Sequence, residues 1–371
     1  MEWYMPTRLH TGEGCVAAHA AELAELGDVC AIITGRHAAQ ASGALADAEA
    51  ALVAAGVESF VWDGVTENPP LAGCAEAGRA AHERGARFVL GIGGGSALDA
   101  AKAAAVFAAN PGLDEAGFYA KAWERAPLPI ALIGTTAGTG REVTKVSVLT
   151  DSAGRKHSIH DDRLYPALSF GDARYTASCT RTTALTCGVD VLAHACESYF
   201  SKKADEISRA FAVRAVRAAT APMAALAAGE TLGDEQLRAL YEASILGGLA
   251  INTTGTCFPH NVGYYLTENH GVPHGFACAV FLPEMIACAC EYDPAYAAEF
   301  FSATGLAEAE LTELITAALP ELDVRMSADE VASALPRWAD NASVKNTRAE
   351  VGTEMIGAML ERMFVEKEEL A

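Results

Sequence analysis

The stretch Phe88-Val89-Leu90-Gly91-Ile92-Gly93-Gly94-Gly95-Ser96 decides the fold of the first half of the chain. Three apolar residues predict a buried strand, the glycines allow a sharp turn, and a helical pattern begins at about Ala97. Free amides at the start of that helix and its dipole favour a bound phosphate, to which Ser96 and Asp99 can add hydrogen bonds. The spacing matches neither the usual dinucleotide fingerprint nor a Walker A loop, so a tight turn without a ligand stays open.

The same order of apolar strand and amphipathic helix repeats on both sides of this stretch. Strands are predicted at 29–33, 60–62, 88–90 and 130–133, with helices at 42–55, 71–83 and 98–108. This alternation predicts a parallel sheet with crossover helices. A hairpin-like stretch follows at 143–170, and helical patterns alone continue beyond residue 173. We predict an α/β domain at 1–173 and an all-helical domain at 174–371, with a site in the cleft between them.

A second loop of small residues, Thr135-Thr136-Ala137-Gly138-Thr139-Gly140, follows the fourth strand. Two such loops at the carboxyl ends of parallel strands predict a dinucleotide site. The first strand ends in Thr34-Gly35-Arg36, without the acidic residue that typically receives the ribose hydroxyl of NAD. Arg36 could pair with a 2′-phosphate, which favours NADP(H) over NAD(H), or it could be a solvated arginine.

The helical half carries a candidate metal site. Asp190 and His194 are four residues apart, so a helix would present both on one face among apolar neighbours. His260, His270 and His274 follow close together, and Gly271 and Pro273 separate His260 from His274. One carboxylate with two or three imidazoles suits Fe(II) or Zn(II), whereas no cysteine lies at ligand spacing. A capped or solvated Asp–His pair is the alternative.

Composition narrows the class of protein. The 371 residues carry a formal net charge of −21, which disfavours nucleic acid and membrane surfaces as partners. The N-terminus lacks the features of a secretory signal, and no uninterrupted apolar run is long enough to span a bilayer. Ten scattered cysteines without a CxxC pair indicate reduced thiols, so a cytoplasmic protein is expected.

Four ordered motifs resemble those of the iron-containing (group III) alcohol dehydrogenase family across almost the whole chain. They are Gly93-Gly94-Gly95-Ser96-x-x-Asp99-x-x-Lys102, Thr135-Thr136-Ala137-Gly138-Thr139-Gly140-x-Glu142-Val143-Thr144, Gly188-Val189-Asp190-x-x-x-His194-x-x-Glu197, and His260-x-x-Gly263-Tyr264 with Pro273-His274-Gly275 and Leu282-Pro283. The chain's opening, Thr34-Gly35-Arg36 and Gly263-Tyr264 are most similar to the NADP(H)-dependent propanediol- or butanol-dehydrogenase branch.

The resemblance implies a Rossmann-like domain, a helical metal-binding domain, and often a homodimer. It implies a divalent metal, with Fe²⁺ favoured and Zn²⁺ as an alternative, held by Asp190, His194, His260 and His274. It implies pyrophosphate contacts at Gly93, Gly94, Gly95 and Ser96, and nucleotide contacts at Asn68, Asp99, Thr135, Thr136, Thr139 and Lys156; Gly35 and Arg36 would face the ribose.

Two residues of the site, Arg141 and Tyr264, depart from the family's pattern, and His270 is an additional histidine. Arg141 stands where serine is usual, so it could reach a phosphate or the substrate, or point outwards. Tyr264 stands where many members carry a second histidine that is linked to nicotinamide contact or proton relay. We therefore assign Tyr264 and, as a substitute, His270 as candidate catalytic residues beside the metal ligands.

The implied activity is hydride transfer between NAD(P)H and a small primary alcohol or aldehyde. Alternatives are a glycerol dehydrogenase, a dehydroquinate synthase-like lyase, or a non-catalytic relative. A lyase for a phosphorylated sugar acid would need lysines and arginines around the metal, and none lies near the ligands in the sequence. Phe258, Tyr264, Tyr265 and Phe276 predict an apolar substrate pocket.

Overall fold

The computed structural model describes residues 3–365, which form a parallel sheet followed by a helical half. The strands of the described chain are β1 Arg8–Thr11, β2 Val29–Thr34, β3 Glu58–Trp62, β4 Phe88–Gly93, β5 Ile130–Gly134, β6 Val146–Thr150, β7 Lys156–His160 and β8 Leu168–Gly171. The helices before residue 180 are α1 Cys15–Ala18, α2 Ala20–Ala24, α3 Ala38–Ala41, α4 Ala44–Ala54, α5 Leu71–Glu83, α6 Gly95–Ala109 and α7 Glu115–Tyr119.

Six strands form one parallel sheet in the order β1-β8-β5-β4-β2-β3, and β6 pairs antiparallel with β7 as a separate hairpin. Apolar side chains cover both faces of the sheet, which explains the nearly uninterrupted hydrophobic strands β2, β4 and β5. The chain leaves β2 towards β3 on one side and reaches β4 on the other. The carboxyl ends of β2 and β4 therefore flank a crevice of the kind in which open α/β sheets bind ligands.

Helices alone follow the sheet in the described chain. They are α8 Arg181–Tyr199, α9 Glu206–Ala227, α10 Asp234–Thr254, α11 Phe258–His270, α12 His274–Ala279, α13 Leu282–Tyr292, α14 Pro294–Thr304, α15 Glu308–Ala318, α16 Ala328–Ala334, α17 Ala342–Asn346 and α18 Thr353–Phe364. The central helix α8 packs against α9, α10 and α12 and buries most of its second half. The predicted fold class, an α/β half followed by an all-helical half, is confirmed.

Two strands were not predicted. β8 lies inside the stretch that was interpreted as hairpin, but its partners are β1 and β5 of the main sheet. β1 is a partly exposed edge strand with the sequence Arg-Leu-His-Thr, which carries too few apolar residues to stand out. Helix α6 begins at Gly95, three residues before the predicted start, because Gly95 and Ser96, interpreted as part of the turn, already belong to its first turn.

Two helical segments are long and apolar enough to cross a membrane by length and composition, Glu206–Ala227 and His274–Tyr292. Each is about half buried inside the protein, with 44% and 56% of its most apolar window enclosed. Core helices have the same composition, and α9 packs mainly against α8 and α10. This finding is weak evidence for a membrane span.

Candidate active site

The glycine-rich turn between β4 and α6 leaves an open helix N-terminus. The first amides of any α-helix have no intrahelical partner. Gly94 precedes α6 and has no side chain to cap these amides, so they remain available to a ligand. Gly93 has a φ of 147°, which favours glycine, and a Cβ on Gly95 would lie 2.6 Å from the Cγ2 of Thr139. The two small-residue loops therefore pack directly on one another, which is possible only with glycine at these positions.

A cavity of about 480 Å³, here called the glycine-loop cavity, opens at this turn. Its lining includes most residues that the sequence assigned to the cofactor, namely Gly35, Asn68, Gly93, Gly94, Gly95, Ser96, Asp99, Thr136, Thr139 and Lys156. Thr135 does not line this cavity: it is buried, and its hydroxyl has no hydrogen-bond partner. Arg36 is exposed beside Gly35 and is not part of the lining.

Asp190 is the centre of the second group of predicted residues, the histidine cluster of Asp190, His194, His260 and His274. The Nε2 atoms of the three imidazoles lie 3.8, 3.3 and 4.0 Å from Oδ1 of Asp190, in that order. Helix α8 supplies Asp190 and His194 from consecutive turns. Helix α12 approaches α8 so closely that a Cβ on Gly275 would lie 1.8 Å from the Thr186 carbonyl oxygen, which brings His274 to Asp190.

Glu197, which closes the third sequence motif and has no predicted role, holds His260 in place. Its Oε1 accepts a 2.5 Å hydrogen bond from Nδ1 of His260, and its Oε2 accepts from the amide of Cys257 at 2.6 Å. Burial favours a lower pKa for His260, but Glu197 and Asp190 outweigh it and raise that pKa to about 9. Burial favours a higher pKa for Asp190, yet the three imidazoles hold it well below its usual range.

The residues of the cluster fit a divalent metal. Oδ1 of Asp190 and Nε2 of His260 are buried atoms that face each other without a hydrogen-bond partner, which is costly unless a cation shares them. Oxygen and imidazole donors about 3–4 Å apart suit the ligand shell of iron or zinc. Glu197 supplies the carboxylate that commonly orients a ligating histidine.

The prediction that no cysteine lies at ligand spacing from the histidines is wrong for Cys278. Its Sγ lies 3.5 Å from Nδ1 of His274, and Asp190, His260, His274 and Cys278 offer donor atoms within 4.8 Å of one another. The helical spacing of four residues after His274 was the signal that sequence reasoning missed. Burial raises the pKa of Cys278 well above its usual value, so a protonated thiol can donate to Nδ1 and leave Nε2 facing Asp190.

The two candidate catalytic residues beside the ligands have different positions. The ring of Tyr264 stacks on His274 with centroids 5.5 Å apart, and its hydroxyl lies 3.4 Å from Oγ of Ser158. His270 instead pairs with Glu330, with Nε2 and Oε1 2.8 Å apart, and lines neither cavity of the site. The structure therefore does not bring His270 to the cluster, because its imidazole pairs with Glu330 instead.

The side chain of Arg141 points into the protein, where it lines the glycine-loop cavity. Its Nε donates to Asp99 at 3.0 Å, and the side chains of this pair are 7% and 6% exposed. Lys102 is fully buried beneath it and donates to the carbonyl oxygens of Arg141, Thr144 and Val146 at 2.6–2.9 Å. The ammonium of Lys102 thus fixes the backbone that carries Arg141.

A second cavity of about 720 Å³, here called the hairpin cavity, lies between β6–β7 and the helical half. His194 and His260 line it, whereas Asp190 and His274 line the glycine-loop cavity. Of the four residues predicted to form an apolar pocket, Tyr264 lines this cavity, whereas Phe258 and Phe276 are buried in the core and Tyr265 is not in the lining. Instead, Arg141, Lys145, Lys156 and Lys203 surround this cavity. The sequence argument against a lyase, that cations are missing near the ligands, therefore fails.

Comparison with known proteins shows to which protein family the chain belongs. The family "Iron-containing alcohol dehydrogenase" matches residues 6–173, and "Fe-containing alcohol dehydrogenase family, C-terminal" matches residues 183–336. The chain is 25% identical to the NAD-dependent methanol dehydrogenase of Bacillus methanolicus over 95% of this chain and 90% of the other. It is 28% identical to the lactaldehyde reductase of Escherichia coli over 74% of this chain and 72% of the other.

A solved structure of an iron-containing alcohol dehydrogenase from Thermotoga maritima superposes with a TM-score of 0.89 at 29% identity, covering 98% of this chain and 99% of the other. The chain belongs to the iron-containing alcohol dehydrogenase family. It is a metal-dependent, nicotinamide-linked oxidoreductase of the alcohol dehydrogenase and aldehyde reductase type.

Proposed function

We propose that the chain reduces an aldehyde reversibly at the histidine cluster, with Asp190, His194, His260 and His274 as metal ligands. The observation that carries this proposal is the meeting of two cavities at one cluster. Asp190 and His274 face the glycine-loop cavity, and His194 and His260 face the hairpin cavity. A nicotinamide placed from the first side and an aldehyde placed from the second would approach each other at the cluster.

A bound divalent metal would polarise the carbonyl as a Lewis acid, and the nicotinamide would supply the hydride. The protein's own contribution is positional. Glu197 fixes the ring of His260, Cys278 donates to His274, and the stacked ring of Tyr264 limits rotation of His274. Burial first of all raises the pKa of Tyr264 to about 12, so its hydroxyl keeps a proton that it can donate towards the product oxygen.

The glycine-loop cavity suits a dinucleotide, and we assign NADP(H) as the preferred form, with Fe²⁺ favoured over Zn²⁺ as the metal. The uncapped N-terminus of α6 offers its amides to the pyrophosphate. Gly35 lines the cavity at the end of β2, and Arg36 next to it forms no ion pair within the described residues. A free guanidinium at this point favours a 2′-phosphate.

The test is an anaerobic assay of the purified protein with Fe(II) or Zn(II), NADPH or NADH, and butanal, followed at the nicotinamide absorbance band. We expect oxidation of the reduced cofactor that depends on added metal. Absence of turnover with every short aldehyde would contradict the proposal. A variant with Asp190→Asn, which removes the shared charge of the cluster, serves as the inactive control.

We also propose a cytoplasmic homodimer without nucleic-acid or membrane partners. All ten cysteines are free thiols, which suits a reducing compartment. Sedimentation of the purified protein checks the dimer, and fractionation of cells checks the compartment.

A further inference from the structure

The hairpin cavity collects positive charge in a strongly acidic protein. Arg141, Lys145, Lys156 and Lys203 line it together, and Asp162 is the one carboxylate in the lining. The chain as a whole has 48 acidic and 27 basic residues. The cavity lining has four cations and one anion, so its charge balance is opposite to that of the whole chain. Three separate segments supply these cations, which explains why the sequence did not show the cluster.

Two of the four cations have a carboxylate partner and two have none. Arg141 is paired with Asp99, and Nζ of Lys145 lies 2.7 Å from Oδ1 of Asp162. No carboxylate of residues 3–365 lies in ion-pair distance of Lys156 or Lys203. The ammonium of Lys156 lies 5.5 Å from the ring centre of Tyr264, beside the cluster.

His160, the last residue of β7, lies on the hairpin side of this cavity. This residue lines the same cavity, and its partial burial, followed by the charges of Arg141, Lys121, Lys145 and Lys203, lowers its pKa to about 4. Burial is the largest cause of this shift, and the neighbouring cations act in the same direction.

Phosphates of a bound cofactor would account for only two of these four cations. Arg141 and Lys156 line both cavities, so they can face phosphates of a dinucleotide in the glycine-loop cavity. Lys145 and Lys203 line the hairpin cavity but not the glycine-loop cavity. Both lysines therefore border the space that the aldehyde would occupy, whose lining also includes polar residues such as Asn252 and Ser343.

We propose that the substrate is a small aldehyde whose far end carries an anionic group, a carboxylate or a phosphate, which Lys203 binds together with Lys145. This proposal rests on the proposed function, because it assumes that the carbonyl lies at the histidine cluster. In the reaction the carbonyl carbon takes up a hydride, its oxygen takes up a proton, and the reduced cofactor is oxidised. The anionic group stays unchanged and serves only for recognition.

The experiment compares kcat/KM for pairs of aldehydes of similar length with the metal-loaded enzyme. Succinic semialdehyde against butanal tests a carboxylate, and glycolaldehyde phosphate against glycolaldehyde tests a phosphate. We expect one anionic member to exceed its neutral partner by about tenfold or more, with an advantage that falls as salt is added. Lys203→Glu should lower that ratio by about tenfold or more, mainly through KM.

Lys202→Glu is the matched control, since Lys202 is an exposed neighbour that lies outside the cavity lining and undergoes the same charge change. We expect this variant to keep the wild-type ratio. Turnover of the neutral aldehydes with no preference for either anion overturns this inference and leaves the proposed function intact. A preference that survives Lys203→Glu also overturns it, whereas no turnover of any aldehyde overturns the proposed function as well.

Discussion

Glu197 and His260 form the shortest polar contact of the site, 2.5 Å between Oε1 and Nδ1, with both side chains buried. Because the carboxylate accepts the proton of Nδ1, the imidazole must turn Nε2 towards Asp190, 3.3 Å away. Glu197 is therefore the residue that decides in which direction His260 offers its second nitrogen. This contact joins α8 to α11, so the packing of the two helices and the orientation of the ligand depend on each other.

Replacement Glu197→Gln should weaken metal binding by about 10- to 100-fold, because an amide holds the histidine tautomer less firmly than a carboxylate. Competition with a chelator, followed by elemental analysis of the protein, measures this change. Glu299→Gln, at an exposed glutamate on α14, is the control and should bind metal as the wild type does. Equal affinity of both variants would show that Glu197 has no role in orienting His260.

Two substitutions on α12 test whether His274 binds the metal and whether its neighbour Cys278 does so too. His274→Ala should abolish metal retention while the helical content measured by circular dichroism stays nearly unchanged. Cys278→Ser should retain metal, since a serine hydroxyl can also donate to Nδ1 of His274. Loss of metal from Cys278→Ser, or a thiolate charge-transfer band in the cobalt-substituted wild type, would make Cys278 a ligand instead.

Gly35→Asp should shift the cofactor preference from NADPH towards NADH by about tenfold or more, because a carboxylate repels a 2′-phosphate and accepts from a 2′-hydroxyl. The new Cβ would lie 3.1 Å from the carbonyl oxygen of Val65, which requires a shift of only a few tenths of an ångström. Steady-state kinetics with both cofactors gives the ratio. Gly112→Asp, in an open loop, is the control; an unchanged ratio in Gly35→Asp would remove the structural basis for NADP(H).

Lys102→Met should lower the free energy of unfolding by about 2–4 kcal/mol, because three buried carbonyl oxygens lose their donor. Burial lowers the pKa of Lys102 to about 7, yet three carbonyl acceptors within 2.9 Å favour the ammonium form. Denaturant unfolding measures the difference, with Lys202→Met as the exposed control. A variant as stable as the wild type would mean that desolvation of the ammonium cancels its hydrogen bonds.

Acid should destabilise the wild type more than a His160→Gln variant. The folded pKa of His160 is about 4, below the ordinary value of 6.5, so between these values the unfolded chain binds a proton that the folded protein does not. The contribution of His160 to stability is fully present above pH 6.5 and is lost as the pH falls towards 4. Melting temperatures of both proteins at neutral and acidic pH measure the effect, and parallel curves would contradict it.

Much of the candidate site could be predicted from the sequence because several of its features are formed by residues that are close together in the chain. The turn between β4 and α6 and the Asp190–His194 pair each depend on residues within a few positions of one another. Lys203 and Cys278 did not stand out, since a lysine on a polar segment and a cysteine among alanines have no pattern of their own. Their importance comes from neighbours that lie far away in the chain.

The sequence by itself determined the alternation of strands and helices from β2 to β5, the glycine-loop turn and the residue types of the histidine cluster, since these depend on hydrophobic periodicity and local spacing. Only the tertiary structure decided that His270 faces Glu330, that Arg141 is buried against Asp99, and that lysines from both halves line the hairpin cavity. The physical reason is that charge and hydrogen-bond partners depend on distance in space, and packing brings together groups that the chain keeps roughly 40 to 60 residues apart.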